Sequence, residues 1–312
     1  MARKTTIQTI GSSNKKLKIF TSVLMLTAII VVTASAWAWW HYVRSNPKRV
    51  FEAMVANSLK TTGVTHQVKQ TSGEQSLSQT IQYMTTPYNV VHANTTLSQG
   101  GASNASVLTE TIGTPFTDYV RYLDVITAQK GADGKPLDFS KLIGVWGKTN
   151  SSVDGVETQS NGELFNETIL GVIPVVNLPA NSRNRLLRQI NENNVYTPDY
   201  STVERRIKNG RPEYTYTVSI KPEPYVAMLK QLAQEVGLTQ LEQVNPANYA
   251  NSEPLQFKIS VDVWTRQLTA INFSDANFRS EQYSSYGVRK PVGLPVQTIS
   301  VDELQQRLQS IE

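Results

Sequence analysis

Cysteine is absent from the chain, and histidine occurs only three times in 312 residues. The first absence excludes disulfide staples, thiol nucleophiles, cysteine metal sites and any lipid-bearing or palmitoylated cysteine. A domain of this size does without disulfides because it buries a sizeable core. With three histidines, no HExxH and no clustered run of Asp and Glu, a dedicated metal site is not expected. GxSxG, GxxxxGK[ST] and GxGxxG are also missing, which removes the local signatures of serine hydrolases, P-loop enzymes and dinucleotide binders. The expectation is a protein that is not an enzyme and uses no cofactor.

Acidic residues are missing from the first 51 positions, whereas Arg3, Lys4, Lys15, Lys16 and Lys18 are basic. Those five account for the whole net charge of +5, so the rest of the chain balances at 25 basic against 25 acidic residues. No basic stripe remains to favour a nucleic-acid partner. The excess belongs instead with the apolar run next to it. Residues 19–40, IFTSVLMLTAIIVVTASAWAWW, carry no charge, against the roughly 20 residues a helix needs to cross a bilayer core. This predicts a basic cytoplasmic tail (1–18), a single membrane-spanning helix (19–40), a short linker (41–46) and an extracytoplasmic domain (47–312), oriented by the positive-inside bias. Trp37, Trp39, Trp40 and Tyr42 would anchor the outer end at the headgroup level, and an interfacial role is enough to explain His41. Arg44, Lys48 and Arg49 on the far side oppose the orientation but lie less compactly. Ala34-Ser35-Ala36 also fits a signal-peptidase site, which leaves a secreted form as the alternative.

The rest of the chain alternates between two periods. Ser45-Asn46-Pro47 opens a helix over 47–60 with Val50, Phe51, Met54, Val55 and Leu59 on one face. From Gly63 to Val125, alternation at Leu77, Ile81, Tyr83 and at Tyr88, Val90, with turns at Ser72-Gly73, Pro87 and Gly100-Gly101, predicts four or five antiparallel strands. A short strand or turn comes next, around Trp146. Helices are expected over 182–192 and from Tyr225 to Gly237. A hairpin turns at Asn209-Gly210, a second runs from Leu255 through Thr265-Arg266-Gln267 to Phe273, and a last strand covers 278–286. Ser300 with Glu303 forms a capping box for a final helix. The class is therefore α+β, a curved antiparallel sheet packed on a few helices.

The helix NPKRVFEAMVANSLKTTG, the meander after it and the hairpin LQFKISVDVWTRQLTAINF together make this domain similar to the LolA/LppX group of bacterial lipoprotein and lipid carriers. The resemblance spans most of residues 47–286 and rests on element order and alternation, with no specific sequence motif. It implies a half-barrel wrapped around helices and a lipid-sized apolar cavity. The chain departs from that group in having an anchor and no lipid-bearing cysteine.

Residues 168–182, TILGVIPVVNLPANS, form a chargeless stretch broken by two prolines. Ile169, Leu170, Val172, Ile173, Val175, Val176 and Leu178 are candidates for the lip of an apolar cavity; a buried helical turn and crossover, covered by the second helix, is the simpler reading and the favoured one. His66 and His92 fall in predicted strands and read as ordinary sheet residues. Asp133 and Asp138 around Gly134 read as turn residues rather than a calcium loop. Asn94, Asn104, Asn150, Asn166 and Asn272 head glycosylation sequons that matter only in a glycosylating host. Two function classes are consistent with these features: an envelope protein binding a lipid or lipidated partner, or a structural envelope domain acting through its surface on other proteins.

Overall fold

The computed structural model describes residues 25, 28–37, 39–85, 88–101, 104–131, 133–149, 152–153, 156–157, 162–273 and 278–311, leaving aside the side chains of 41, 42, 152, 153, 156 and 157. The chain divides into two units, residues 1–49 and 50–312. In the first, residues 28–37 are helical and Trp40–Arg44 forms a π-helical turn. Ile29, Ile30, Val31 and Val32 are all exposed, as are Trp37, Trp39 and Trp40. The Thr33 hydroxyl donates back to the Ile29 carbonyl at 2.8 Å, which keeps it satisfied within the helix. Among the described residues no helix is long and apolar enough to cross a membrane. The basic tail, residues 19–24, 26, 27 and 38 of the apolar run, and the side chain of Tyr42 lie outside the described residues.

Asn46 caps the first domain helix, α1 (Pro47–Ser58), by accepting from the Arg49 N–H at 3.3 Å. Its face of Val50, Phe51, Met54 and Val55 is buried. The meander is built from β1 (Gly63–Ser72), β2 (Gln75–Met84), β3 (Val90–Gln99), β4 (Ala105–Gly113) and β5 (Asp118–Ile126). Then come β6 (Gly147–Lys148), the small hairpin β7 (Ser152–Val153) and β8 (Val156–Glu157), and helices α2 (Glu163–Ile169) and α3 (Ala180–Glu192). The second half holds β9 (Tyr196–Pro198), β10 (Glu204–Lys208), β11 (Arg211–Ile220), α4 (Pro222–Glu235), β12 (Leu255–Asp262), β13 (Gln267–Phe273) and β14 (Ser280–Ser284). β15 (Ile299–Ser300) and α5 (Val301–Gln309) end it.

Among the described residues one large, open, curved sheet runs β10-β11-β12-β13-β14-β1-β2-β3-β4-β5-β6-β15, with β9 also on β11. All its pairings are antiparallel except β6 with β15. Local turn chemistry sets the hairpins. Asn209 and Gly210, at φ 52° and 75°, supply the two left-handed residues a tight hairpin turn needs. Asp262 accepts from the N–H groups of Trp264 and Thr265 and so folds the β12–β13 turn. What joins the hairpins is long-range: β14 pairs with β1 through Thr65–Ser284 to Lys69–Ser280.

Alternate side chains of the sheet face the helices. Val64, Tyr83 and Val91 stand in register across β1, β2 and β3, and Tyr83 meets Phe165 of α2 with ring centroids 6.2 Å apart. On the other half, Phe51 of α1 packs edge-on against Tyr216 at 5.3 Å. This is the main core. A smaller cluster of Met84, Val90 and Ile112 lies beneath Tyr119, Trp146 and Val292. There the chain after β14 runs across, Tyr88 donating to the Val292 carbonyl at 2.6 Å. α5 closes the far edge, with Leu304 lying where a Gly147 side chain would be, and Ser300 accepts from the Glu303 N–H at 3.1 Å as the sequence predicts.

Candidate functional site

The concave, helix-facing side of the sheet is the candidate site. Its cover is the segment after α2. Residues 173–178 hydrogen-bond back to the chain that leaves α1: Val176 N–H to the Ser58 carbonyl, Thr61 N–H to the Val176 carbonyl, and Leu178 N–H to the Leu59 carbonyl, at 2.9 to 3.0 Å. A buried loop has to satisfy its own backbone, and this one does so by pairing. Three tyrosines add to it. Tyr225 of α4 donates to the Gly171 carbonyl at 3.0 Å, Tyr196 of β9 donates to the Val172 carbonyl at 2.9 Å, and the Tyr83 hydroxyl bonds the backbone of Asn177.

The seven residues expected at a cavity lip are placed accordingly. Ile169, Ile173, Val175, Val176 and Leu178 belong to the buried core, none more than 3% exposed, while Leu170 and Val172 are partly buried against it. The interfacial candidates Trp37, Trp39 and Trp40 lie in the other unit.

Beneath this cover sits a polar cluster that the sequence did not announce. Glu281 of β14 is 3% exposed. Its carboxylate accepts from the Tyr283 hydroxyl at 2.7 Å and from Arg279 Nε and Nη2 at 3.0 and 2.7 Å, and it lies 3.2 Å from His66 Nε2. The His66 ring stacks on Tyr283 at 4.4 Å and 7°. Burial raises the Glu281 pKa, but the hydrogen bond and charge of His66, the Tyr283 hydroxyl and the Arg279 charge outweigh it and bring it down to about 2. His66 Nδ1 is buried without a partner among the described residues. A histidine and a carboxylate 215 positions apart share no local pattern, so only the β1–β14 pairing brings them together. His92 on the opposite face is paired as well, 2.7 Å from Glu110, which Arg121 also holds.

The helical cover ends before the sheet does. Leu77, Leu97, Val107 and Val125 stand side by side across β2, β3, β4 and β5. They lie on the face of Tyr83 and Val91 by simple alternation, β5 being reset by the irregularity at Leu108/Thr109. None of the four is in the buried core, and Leu97 is 50% exposed. Three strand spacings make this aliphatic row about 14 Å long. Gln79, Thr95, Thr109 and Tyr122 form the next row inward, and Gln75, Gln99 and Ala105 the next outward.

A groove of about 620 Å³ runs past β10 to β14 on the other side. It is lined by polar residues, among them Gln67, Glu213, Asp262, Thr269 and Gln282. Its two carboxylates already have partners: Glu213 accepts from the Thr269 hydroxyl at 2.6 Å, and Asp262 holds the β12–β13 turn. Asp133 and Asp138 each accept from a backbone N–H two residues on, at 3.0 and 2.9 Å.

No family model matches the chain, and no curated protein does. Among solved structures the chain is similar to the crystal structure of LprF from Mycobacterium bovis, at 12% identity and a TM-score of 0.36 over 80% of this chain and 95% of that one.

Proposed function

We propose that this is a membrane-anchored, non-enzymatic protein of a bacterial cell envelope, whose folded domain holds an apolar chain, that of a lipid or of a lipid-modified partner. The observation that carries the reading is the aliphatic row Leu77–Leu97–Val107–Val125, in register on the concave face and outside the core. Anchoring through residues 19–40 is supported by Ile29, Ile30, Val31 and Val32. Four successive helical positions cover the full circumference, and a helix apolar all round needs either a protein core or a bilayer. The five basic residues before the run support a cytoplasmic N-terminus, with the domain outside.

The test is a photoreactive palmitate added to the full chain in lipid nanodiscs, with labelled peptides mapped by mass spectrometry. Label on residues 77–126, lost in Leu97→Glu, is the expected result; label confined to residues 19–40 would sink the reading. Protease added to intact cells should remove the domain and spare the tail.

The second reading, a structural domain working through its surface, draws on the burial of Ile169, Ile173, Val175, Val176 and Leu178 and on the polar lining of the large groove. Under that reading the palmitate probe leaves the domain unlabelled, and the full chain runs as a discrete oligomer in native mass spectrometry.

A further inference from the structure

Helix α2 has no cap of its own. Gly162 precedes it without a side chain, and the first-turn N–H of Leu164 is met from 46 positions away by Oδ2 of Asp118, the first residue of β5, at 3.3 Å. The Glu163 N–H also reaches this carboxyl. Asp118 is 8% exposed, and its other oxygen, Oδ1, is buried with no partner among the described residues. The fit around it is close. A side chain on Gly113 would come within 2.8 Å of Oδ1 and 3.1 Å of Leu164, and one on Gly162 would lie 1.6 Å from the Thr114 carbonyl oxygen.

Among the described residues the charges acting on Asp118 are those of Glu163 and Glu167, both on α2 and both of its own sign. Gly113 of β4 brings no charge. Thr149, after β6, exchanges only neutral hydrogen bonds with the Asp118 backbone. Lys148 pairs with Tyr119 and so belongs to the opposite face. An ionised Asp118 therefore leaves a buried, unpartnered oxygen beside two like charges. A protonated Asp118 keeps Oδ2 available to the helix and removes the charge.

We propose that Asp118 is a proton-dependent latch on α2: the neutral carboxyl seats the helix against the sheet, and the charged one loosens it. α2 continues directly into residues 170–172, where Tyr225 and Tyr196 hold the cover, so loosening is transmitted to the segment that roofs the concave face. The latch does not depend on what that face holds.

Burial, together with Glu163 and Glu167, carries Asp118 from 3.8 to about 6 against the opposing helix hydrogen bonds. A pKa raised in the closed state means that closure is favoured below it. Relative to a released carboxyl of ordinary pKa, linkage gives about tenfold more opening of α2 at pH 8 than at pH 5.

Hydrogen exchange by mass spectrometry on the full chain, corrected for the intrinsic pH dependence of exchange, reads this directly in peptides covering residues 163–170. Wild type should lose about tenfold in protection from pH 5 to pH 8, and Asp118→Asn, which is always neutral, should stay flat. A wild-type profile without pH dependence, or an Asp118→Asn profile that tracks the wild type, overturns the proposal. Should Asp118→Asn not fold, the double change Glu163→Gln and Glu167→Gln decides: the midpoint moves to lower pH if the latch is real, and an unmoved midpoint overturns it.

Discussion

Replacing Glu281 with Gln tests whether the buried cluster is a source of stability. The carboxylate has two contacts to Arg279, one to Tyr283 and one to His66, and almost no exposure to water. Held at about 2 instead of its ordinary 4.5, it contributes about 3 kcal/mol, since each tenfold gain in acidity on folding is worth about 1.4 kcal/mol. Because the folded-state pKa is depressed, this contribution is complete above pH 4.5 and disappears as the pH falls through 2. Gln keeps the shape but not the charge, and it leaves Arg279 facing a neutral amide in a buried setting, a change that costs several kcal/mol when one partner of a buried pair is removed. Arg279 is partly exposed and recovers some of this through water. Urea denaturation of the full chain monitored by tryptophan fluorescence should therefore show Glu281→Gln about 3 kcal/mol less stable at pH 7. The gap should narrow below pH 4.5 and be nearly closed at pH 2. A difference under about 1 kcal/mol at pH 7 refutes the attribution of stability to this carboxylate, and a difference that stays constant down to pH 2 refutes its electrostatic origin.

Three further changes probe the cover and the sheet. Tyr225→Phe removes the hydroxyl that meets the Gly171 carbonyl and should cost about 1 kcal/mol in urea denaturation, with faster amide exchange confined to residues 170–173. Gly162→Ala places a carbon 1.6 Å from a backbone oxygen that no rotamer can move; α2 must move away, and a loss of about 3 kcal/mol is expected in the same assay. Leu97→Ser, on a half-exposed position, should change stability by no more than about 0.5 kcal/mol while lowering palmitate labelling of the sheet.

Elements whose cause is local were legible in the sequence. The Asn209-Gly210 hairpin, the alternation in β11, β12 and β13, the face of α1 and the Ser300 cap each arise from a few neighbouring residues, and each forms. The last strand proved shorter than the expected 278–286, spanning Ser280–Ser284, because only that part pairs with β1 and β13. Helix α2 did not show in the sequence. At seven residues it is too brief for a clear period, and its cap comes from β5. His66 read as an ordinary strand residue because Glu281 and Tyr283 reach it only through a strand pairing more than 200 positions long. The chargeless stretch was ambiguous for a related reason: whether such a segment is roof or core depends on partners for its backbone, and those lie in residues 58–61.

The same row of the sheet has a different status in its two halves, and that difference bears on function. Val218, Phe257 and Phe273 occupy it across β11, β12 and β13, with Val218 and Phe257 buried and Phe273 packed against the core. Gln70 pairs with Leu77 and interrupts the apolar row there, and beyond it Leu77, Leu97, Val107 and Val125 are aliphatic without reaching that core. Strand propensity accounts for the two valines. It does not account for leucine at 77 and 97, where threonine or glutamine, as at 95 and 79 one row inward, would serve a half-exposed strand equally well. Leu77, Val107 and Val125 are already partly buried in the folded domain, but Leu97 is half exposed, and folding alone gives little reason for leucine at that position. A ligand that covers the row supplies one, since each methylene taken out of water by such contact is worth about 0.8 kcal/mol. The row is a single side chain wide, flanked by Gln79, Thr95 and Thr109 on one side and by Gln75, Gln99 and the small Ala105 on the other, and this shape fits one extended apolar chain better than a broad protein interface.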